Sequence, residues 1–371
     1  MKQLQDRYLA LDVLRGLTLT LMIIVNSPGN ETTSYAPFLH AAWHGMTLTD
    51  LVFPTFMFVV GTALSFTIDK YQTVGDVEFL KKTLTRTAFI FLLGFLLYWY
   101  PFFTFSPTDD FNLLPFANTR IFGVLQRIAL GYCFASLILH FWKPRGAIIF
   151  SIAALLGYWG ILIAFGDYTM NGNAGTFLDK LILGENHMYH GEGVAFDPEG
   201  ILSTLPSIVN VIVGYFAGQL IRKNGANFEA IAKLLMAGAI GITIALCWGA
   251  TLPINKKLWT SSYVLCTVGI DLVVLGILVY VIEIVRLRNW TYFFEVFGKN
   301  TLFIYLLSEV TMITFTIVHV GSQTLAGWLY MVVFRSWAGS YNGSLAFAVT
   351  FMFSCWLVAY IMDKKSIYIK L

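Results

Sequence analysis

Charged residues are scarce in this sequence. They make up 12% of the 371 residues, whereas soluble domains carry about 25%. Hydrophobic residues reach 57%, mean hydropathy is +0.70, and the apolar content extends from one end of the chain to the other. So few charges cannot cover a water-facing surface, which excludes an array of soluble domains. The composition predicts one integral membrane domain over residues 1–371.

Several chemical signatures are also scarce or missing. The four cysteines, Cys133, Cys247, Cys266 and Cys355, all lie in apolar stretches, so they indicate neither a disulfide framework nor a zinc site. There is no GxGxxG, P-loop or GxSxG element, which argues against P-loop ATP chemistry and serine-type hydrolysis. The net charge is only +3, and it gives no indication of nucleic-acid binding.

Apolar stretches long enough to cross a bilayer recur along the chain. The candidate spans are 9–26, 47–68, 83–100, 120–141, 146–165, 203–221, 230–248, 259–282, 297–318 and 344–362. Residues 323–337 are apolar but short, which is more typical of a re-entrant or interfacial segment. Because a spanning helix needs about 20 mainly apolar residues, the sequence predicts an all-α polytopic bundle of about ten transmembrane helices.

The lysines and arginines are distributed unevenly between alternate loops. With the N-terminus placed in the cytoplasm, 17 of these 24 residues lie on the cytoplasmic side, 5 on the opposite side and 2 within helices. Positive residues concentrate in cytoplasmic loops, so the count predicts both termini inside and an even number of spans. The same topology places loops 27–46 and 166–202 together on the outer face.

The outer loop 166–202 is acidic, with six acids against one base over 37 residues. A negative field attracts cationic ligands, and a protonated amino sugar would fit, with nearby aromatic and histidine side chains stacking on a sugar ring. The alternative is a solvated loop that the topology keeps free of positive charge. Loop charge alone favours this alternative.

Two histidines, His40 and His44, lie four residues apart at the end of loop 27–46. A neutral imidazole near pH 7 can take a proton from an attacking amine or hydroxyl, so His40 is a candidate general base. A structural histidine is the alternative. The spacing would also suit two metal ligands on a helix, but there is no compelling third ligand and Gly45 follows directly, so no metal site is predicted.

Charged residues within the predicted spans are candidates for function because burying a charge in the bilayer costs roughly 2.5–3.5 kcal/mol. Asp12 and Arg15 lie three residues apart on one helix face, where a structural ion pair is the alternative. They also make the first apolar segment unlike a signal peptide, so we expect a retained helix. Arg127 follows Gln126 in the fourth span, and an arginine fork suits a phosphate. Pairing with an aspartate is the alternative for Arg127.

Seven blocks of residues occur in a fixed order along nearly the whole chain. They are 11–16 with Asn26, 40–61, 120–127, 181–189, 197–202, 253–259 and 262–264. In this order and at these intervals the chain resembles the heparan-α-glucosaminide N-acetyltransferase family, which comprises transmembrane acyltransferases of lysosomes and bacteria. The resemblance implies acetyl transfer from cytosolic acetyl-CoA, as co-substrate, to the amine of a terminal glucosamine across the membrane.

The resemblance also implies roles for individual residues. His40 falls on the active-site histidine and would act as general base, Asn26 would polarise or position the acetyl carbonyl, and Asp50 would orient the histidine or support the helix. A covalent acetyl-histidine route stays open beside direct transfer. The predicted acetyl-CoA-binding residues are Arg15, Gln126, Arg127, Lys257 and Trp259. The predicted substrate-binding residues are Trp43, His187, Asp197 and Glu199.

The expected partners are acetyl-CoA, the lipid bilayer and an amino sugar or a glycosaminoglycan- or chitin-type fragment, with a homodimer as the candidate assembly. The chain begins at the first conserved helix, one helix fewer than in the lysosomal enzyme. Its tight loops suggest a multi-pass protein of a bacterial inner membrane. A sugar or oligosaccharide transporter, for which the expected internal repeat is not evident, and an O-acyltransferase of an envelope polymer stay open as other functions.

Overall fold

The computed structural model describes residues 8–71, 75–105 and 111–369, and this part of the chain is mostly helical. In chain order the α-helices are α1 (Leu9–Asn26), α2 (Leu48–Leu64), α3 (Ile68–Tyr71), α4 (Asp76–Trp99), α5 (Val124–Leu137), α6 (Lys143–Ala164), α7 (Ala174–Ile182), α8 (Ile201–Asn224), α9 (Phe228–Trp248), α10 (Ser261–Val279), α11 (Thr291–Lys299), α12 (Thr301–Ile317), α13 (Leu325–Leu329), α14 (Ser336–Ala338) and α15 (Ser340–Lys364). Turns of π-helix cover Ile138–Trp142, Tyr280–Ile284 and Tyr330–Arg335.

Two short antiparallel hairpins, which the sequence analysis does not predict, interrupt the helices. They pair β1 (Phe103–Phe105) with β2 (Phe111–Leu113) and β3 (His319–Val320) with β4 (Gln323–Thr324). The predicted segment 323–337 begins in the second hairpin and continues as short helical turns through α14.

Each of the ten predicted spans coincides with a helix, which confirms the helical bundle. Among the described residues, six helical runs are long and apolar enough to cross a membrane. The pair α11–α12, bent by 83°, would make a seventh, and α2 has only 17 residues. The predicted span 297–318 therefore starts too early, because the helix breaks at Asn300 (φ −129°, ψ 36°). The count of ten crossings and the side of each terminus stay predictions.

The 41-residue run Val124–Ala164 contains two helices rather than one. A straight helix of this length would extend about 60 Å, twice the hydrocarbon thickness of a bilayer. Lys143 has φ +60° and ψ 178°, which no helical residue adopts, and Pro144 follows at the start of α6. The break separates α5 from α6, as the two predicted spans require.

Inner and outer helices differ in burial. Of the apolar window in each helix, 61% is buried in α1 and 72% in α8, but only 28% in α9. α9 exposes Met236, Ile240 and Ile244 at four-residue spacing, which places them on one face. A continuous apolar stripe on the outside of a fold needs a non-aqueous surrounding, so the bundle has the surface of an integral membrane protein.

Helices α2 and α8 cross in close contact at glycines on both helices. A Cβ at Gly61 would lie 1.9 Å from the Val211 carbonyl oxygen, and a Cβ at Gly214 would lie 2.0 Å from the Phe58 carbonyl oxygen. Neither position admits a side chain without moving backbone. Since the candidate site lies at the N-terminal ends of these two helices, their crossing sets its geometry.

Gly61→Ala is expected to destabilise the protein by about 1–3 kcal/mol, the usual cost of overpacking, because the backbone of α8 cannot yield as a flexible side chain would. The measurement is the Tm of detergent-purified protein. Gly157→Ala on α6 is the control, since a Cβ there meets nothing within 4 Å. A Gly61→Ala variant as stable as Gly157→Ala would contradict the close crossing.

Candidate active site

Helix α2 begins with a capping box built from Thr47 and Asp50. The backbone N–H of Thr47 donates to Asp50 Oδ2 at 2.9 Å. Pro54, one turn later, has no N–H to offer the Asp50 carbonyl. The hydroxyl of Tyr263 on α10 donates to that carbonyl instead, at 2.5 Å. Asp50 is therefore held through both its side chain and its main chain.

The Asp50 carboxylate also holds His40. Oδ1 lies 2.7 Å from His40 Nδ1, and Oδ2 accepts the Ala41 N–H at 3.0 Å. Because an ionised carboxylate only accepts hydrogen bonds, Nδ1 carries the proton and Nε2 keeps its lone pair. The His40 side chain is 46% exposed, so Nε2 can be reached. This is the geometry of a general base oriented by a carboxylate.

The loop between α9 and α10 packs against this pair. The Gly45 N–H donates to the Ile254 carbonyl at 2.8 Å, and Gly45 has φ +104°, a conformation that favours glycine. Lys256 Nζ lies 3.2 Å from each ring nitrogen of His40 and 3.9 Å from Asp50 Oδ1. Lys256 is not among the residues predicted for the site, because no local pattern in the sequence separates it from Lys257 beside it.

An open depression adjoins the two loops, with a volume of ≈ 390 Å³. It is lined by Ala42, Trp43, His44, Tyr168, Thr169 and Met170. The indole N–H of Trp43 donates to the Tyr168 carbonyl at 2.7 Å. Lys257 donates to the Ala42 carbonyl at 3.1 Å and lies 2.7 Å from Glu192. Lys257, a predicted acetyl-CoA ligand, therefore joins the α9–α10 loop to the loops that carry Ala42 and Glu192.

Asp197 and Glu199, predicted to bind substrate, both contact Arg120. The Arg120 guanidinium donates to the two carboxylate oxygens of Asp197 at 3.0 and 2.6 Å and to Glu199 at 2.6 Å. It lies between the rings of Tyr98 and Tyr189, at 4.9 and 4.7 Å from their centroids. Burial would raise the pKa of Glu199, but Arg120 lowers it. The acidic loop thus carries less free negative charge than its sequence indicates.

Two of the predicted acetyl-CoA-binding residues meet in the core. The Arg127 guanidinium lies 4.9 Å from the centroid of the Trp259 ring. Its Nη2 donates to the Gly200 carbonyl at 3.0 Å, whereas its Nε and Nη1 and both amide atoms of Gln126 have no hydrogen-bond partner in the described chain. Unsatisfied buried donors are costly, so Arg127 and Gln126 could hold an acceptor oxygen of a ligand.

Arg15 lies elsewhere, at the contact of α1 with α11. Its Nη1 is 3.3 Å from Asp12 Oδ1 and donates to the Gly298 carbonyl at 3.3 Å. The two residues form the ion pair that their spacing suggests. In the described part of the chain, no hydrogen bond or ion pair joins Arg15 to Arg127 or Trp259.

Asn26 and His187 take other partners. The Asn26 amide at the end of α1 donates to Glu309 on α12 at 3.1 Å, and no hydrogen bond of the described chain joins it to His40. His187 Nδ1 lies 2.8 Å from the Thr119 carbonyl. Across residues 8–71, 75–105 and 111–369, no group of three or more His, Cys, Asp or Glu side chains is arranged to hold a metal ion.

A buried aspartate joins the acidic loop to α8. Asp179 Oδ1 on α7 accepts the Ile201 N–H at 2.8 Å. Burial raises the pKa of Asp179 from 3.8 to about 7, with the Ile201 N–H acting in the opposite direction. Since the folded value is raised, the stability from this carboxyl is present below about pH 4 and is lost as the pH rises towards 7.

Asp179→Asn removes this titration while its side-chain oxygen can still accept the Ile201 N–H. Between about pH 5 and about pH 8 we expect the Tm of the wild type to fall relative to that of the variant. Asp167→Asn is the control, because Asp167 is exposed in the same loop and hydrogen bonds from Thr169 lower its pKa. Parallel Tm curves for the wild type and Asp179→Asn would be the contrary result.

Comparison with known proteins places the site in a family. Residues 7–254 match the family described as heparan-alpha-glucosaminide N-acetyltransferase, catalytic. The chain is 30% identical over 363 residues to the heparan-alpha-glucosaminide N-acetyltransferase of Mus musculus, covering 82% of this chain and 54% of the relative. It is 29% identical over 365 residues to that of Homo sapiens, covering 83% and 53%. The chain spans about half the length of these curated relatives. Since the family match includes the loop and helix that hold His40 and Asp50, the chain belongs to the heparan-α-glucosaminide N-acetyltransferase catalytic family.

Proposed function

We propose that the protein is an N-acetyltransferase that moves an acetyl group from acetyl-CoA to the amine of a glucosamine-type sugar. The observation that carries the proposal is the contact of 2.7 Å between His40 Nδ1 and Asp50 Oδ1, inside the segment that matches the family. Asp50 leaves Nε2 as the nitrogen that takes the proton of the attacking amine. Family membership supports the acetyl donor and the amino-sugar acceptor.

The acceptor sugar is proposed to bind in the open depression beside Trp43. An indole face gives a sugar ring a flat apolar surface, and the Trp43 ring is fixed by its bond to the Tyr168 carbonyl. Asp197 and Glu199 would contact hydroxyl groups of the sugar only after Arg120 releases them, because their side chains are 0% and 10% exposed and both pair with Arg120. Asn26 would act on the acetyl carbonyl after leaving Glu309.

The acetyl donor is proposed to reach the site from the cytoplasm through the bundle. Arg127 and Gln126 supply buried N–H groups that lack hydrogen-bond partners among the described residues, which suits the phosphate or carbonyl oxygens of the donor. The count of lysines and arginines supports cytoplasmic termini and an outer face that carries loops 27–46 and 166–202. A multi-pass protein of a bacterial inner membrane would then modify sugars on the side of the membrane opposite to its acetyl donor.

His40→Ala is expected to lower kcat by about 10²–10⁴-fold, the range for loss of a general base. The assay follows release of free CoA from acetyl-CoA that depends on glucosamine, using purified protein. His319→Ala is the control, because His319 is an exposed histidine that bonds only its own loop, at the Ile317 carbonyl. Near-normal turnover by folded His40→Ala would rule out the assignment, and turnover with hydroxyl acceptors alone would indicate an O-acyltransferase.

The orientation can be tested with single cysteines and a membrane-impermeant maleimide on sealed vesicles. Thr169→Cys, in the proposed outer loop, should label from the outside. Lys223→Cys, at the opposite end of α8, should label only after the vesicles are permeabilised. Both side chains lie in described segments outside the apolar core. Labelling in the reverse order would invert the proposed topology, and labelling of both from one side would exclude it.

A further inference from the structure

The side chain of Lys256 faces the imidazole of His40 and has no part in the acetyl transfer proposed so far. Its Nζ is 3.2 Å from Nδ1 and 3.2 Å from Nε2. Each ring nitrogen directs its lone pair or its proton outward in the ring plane. A point equally far from both nitrogens lies along neither of these directions. The Lys256 ammonium therefore faces the ring without pointing along the lone pair or the N–H of either nitrogen. Nδ1 keeps its bond to Asp50, and Lys256 Nζ lies within hydrogen-bond distance of Nε2 but off the direction of its lone pair, along which the acceptor amine would approach.

Lys256 is held in this position with little access to water. Its side chain is 16% exposed, and Asp50 Oδ1 lies 3.9 Å from Nζ. Burial lowers the pKa of Lys256, the Glu199 and Asp50 carboxylates act to raise it, and Lys257 and Arg127 act to lower it. Among the described residues that contact the His40 ring, the charged ones are Asp50 from α2 and Lys256 from the α9–α10 loop.

We propose that Lys256 is a positioning residue that keeps His40 available as a base. A cation beside the ring disfavours a second proton on the imidazole, whereas the Asp50 carboxylate favours one. This inference rests on the proposed function, because it assigns Lys256 a part in the same acetyl transfer.

The same charge affects the second half of the reaction. His40 takes the amine proton at Nε2 while the amine nitrogen bonds to the acetyl carbon and the carbon–sulfur bond of the donor breaks. The imidazolium then gives that proton to the departing thiolate, so the ring ends as it began and free CoA is released. Repulsion from Lys256 makes the imidazolium a readier proton donor.

The protonation of His40 can be followed without acetyl transfer. Diethyl pyrocarbonate reacts with unprotonated imidazole, and peptide mass spectrometry reads the modified fraction of His40 at each pH. In Lys256→Met the pH midpoint of this reaction is expected to rise, because the cation that disfavours a second proton on the ring is removed. Lys256→Arg keeps the cation and should stay near the wild type. Lys180→Met is the matched control, since Lys180 pairs with Glu185 at 2.8 Å.

The acid limb of the kcat/KM profile with acetyl-CoA and glucosamine should move in the same direction. A His40 midpoint that is unchanged or lower in Lys256→Met overturns the inference, whatever the activity. If the His40 midpoint rises in Lys256→Met but the wild-type protein transfers no acetyl group, the proposed function is overturned and the coupling of Lys256 to His40 is supported. If Lys256→Met does not fold, Lys256→Gln removes the same charge and takes its place.

Discussion

The carboxylate of Asp50 is the group on which the rest of the site depends. One oxygen holds the imidazole of His40, and the other holds the main chain at Ala41 and Thr47. A buried carboxylate is costly unless hydrogen bonds satisfy it, and here the imidazole, the loop and the end of α2 all supply them. The position of the base is therefore coupled to the start of a core helix, so His40 lies on a loop but is placed with the precision of a helix terminus.

The core supports this arrangement from three directions. Pro54 has no N–H for the Asp50 carbonyl, and the hydroxyl of Tyr263 on α10 donates to that carbonyl instead. The close crossing at Gly61 and Gly214 fixes α2 against α8, and α8 starts directly after the segment that holds Glu199. The loop before α10 brings Lys256 to the imidazole. Packing between helices thus fixes the geometry of the site at the N-terminal ends of α2 and α8.

Charge compensation separates the two parts of the site. Around Asp197 and Glu199 one guanidinium, from Arg120, neutralises part of the paired negative charge. Around His40, the Asp50 carboxylate and the Lys256 ammonium have opposite electrostatic effects on one imidazole ring. The first arrangement ties the segment before α8 to Arg120 and stabilises the structure. The second places an imidazole between a carboxylate and an ammonium.

The sequence by itself determined the helices, the membrane character and the family. Apolar length sets where helices form, and the ordered blocks are local in the chain. His40 and Asp50 could be named because they lie only ten residues apart in one block. Partner choice could not be read in the same way. Arg120 is 77 residues from Asp197, and Lys256 is 216 residues from His40. Only the tertiary structure decided these pairs, because contacts between distant side chains depend on which helices pack together and at what depth.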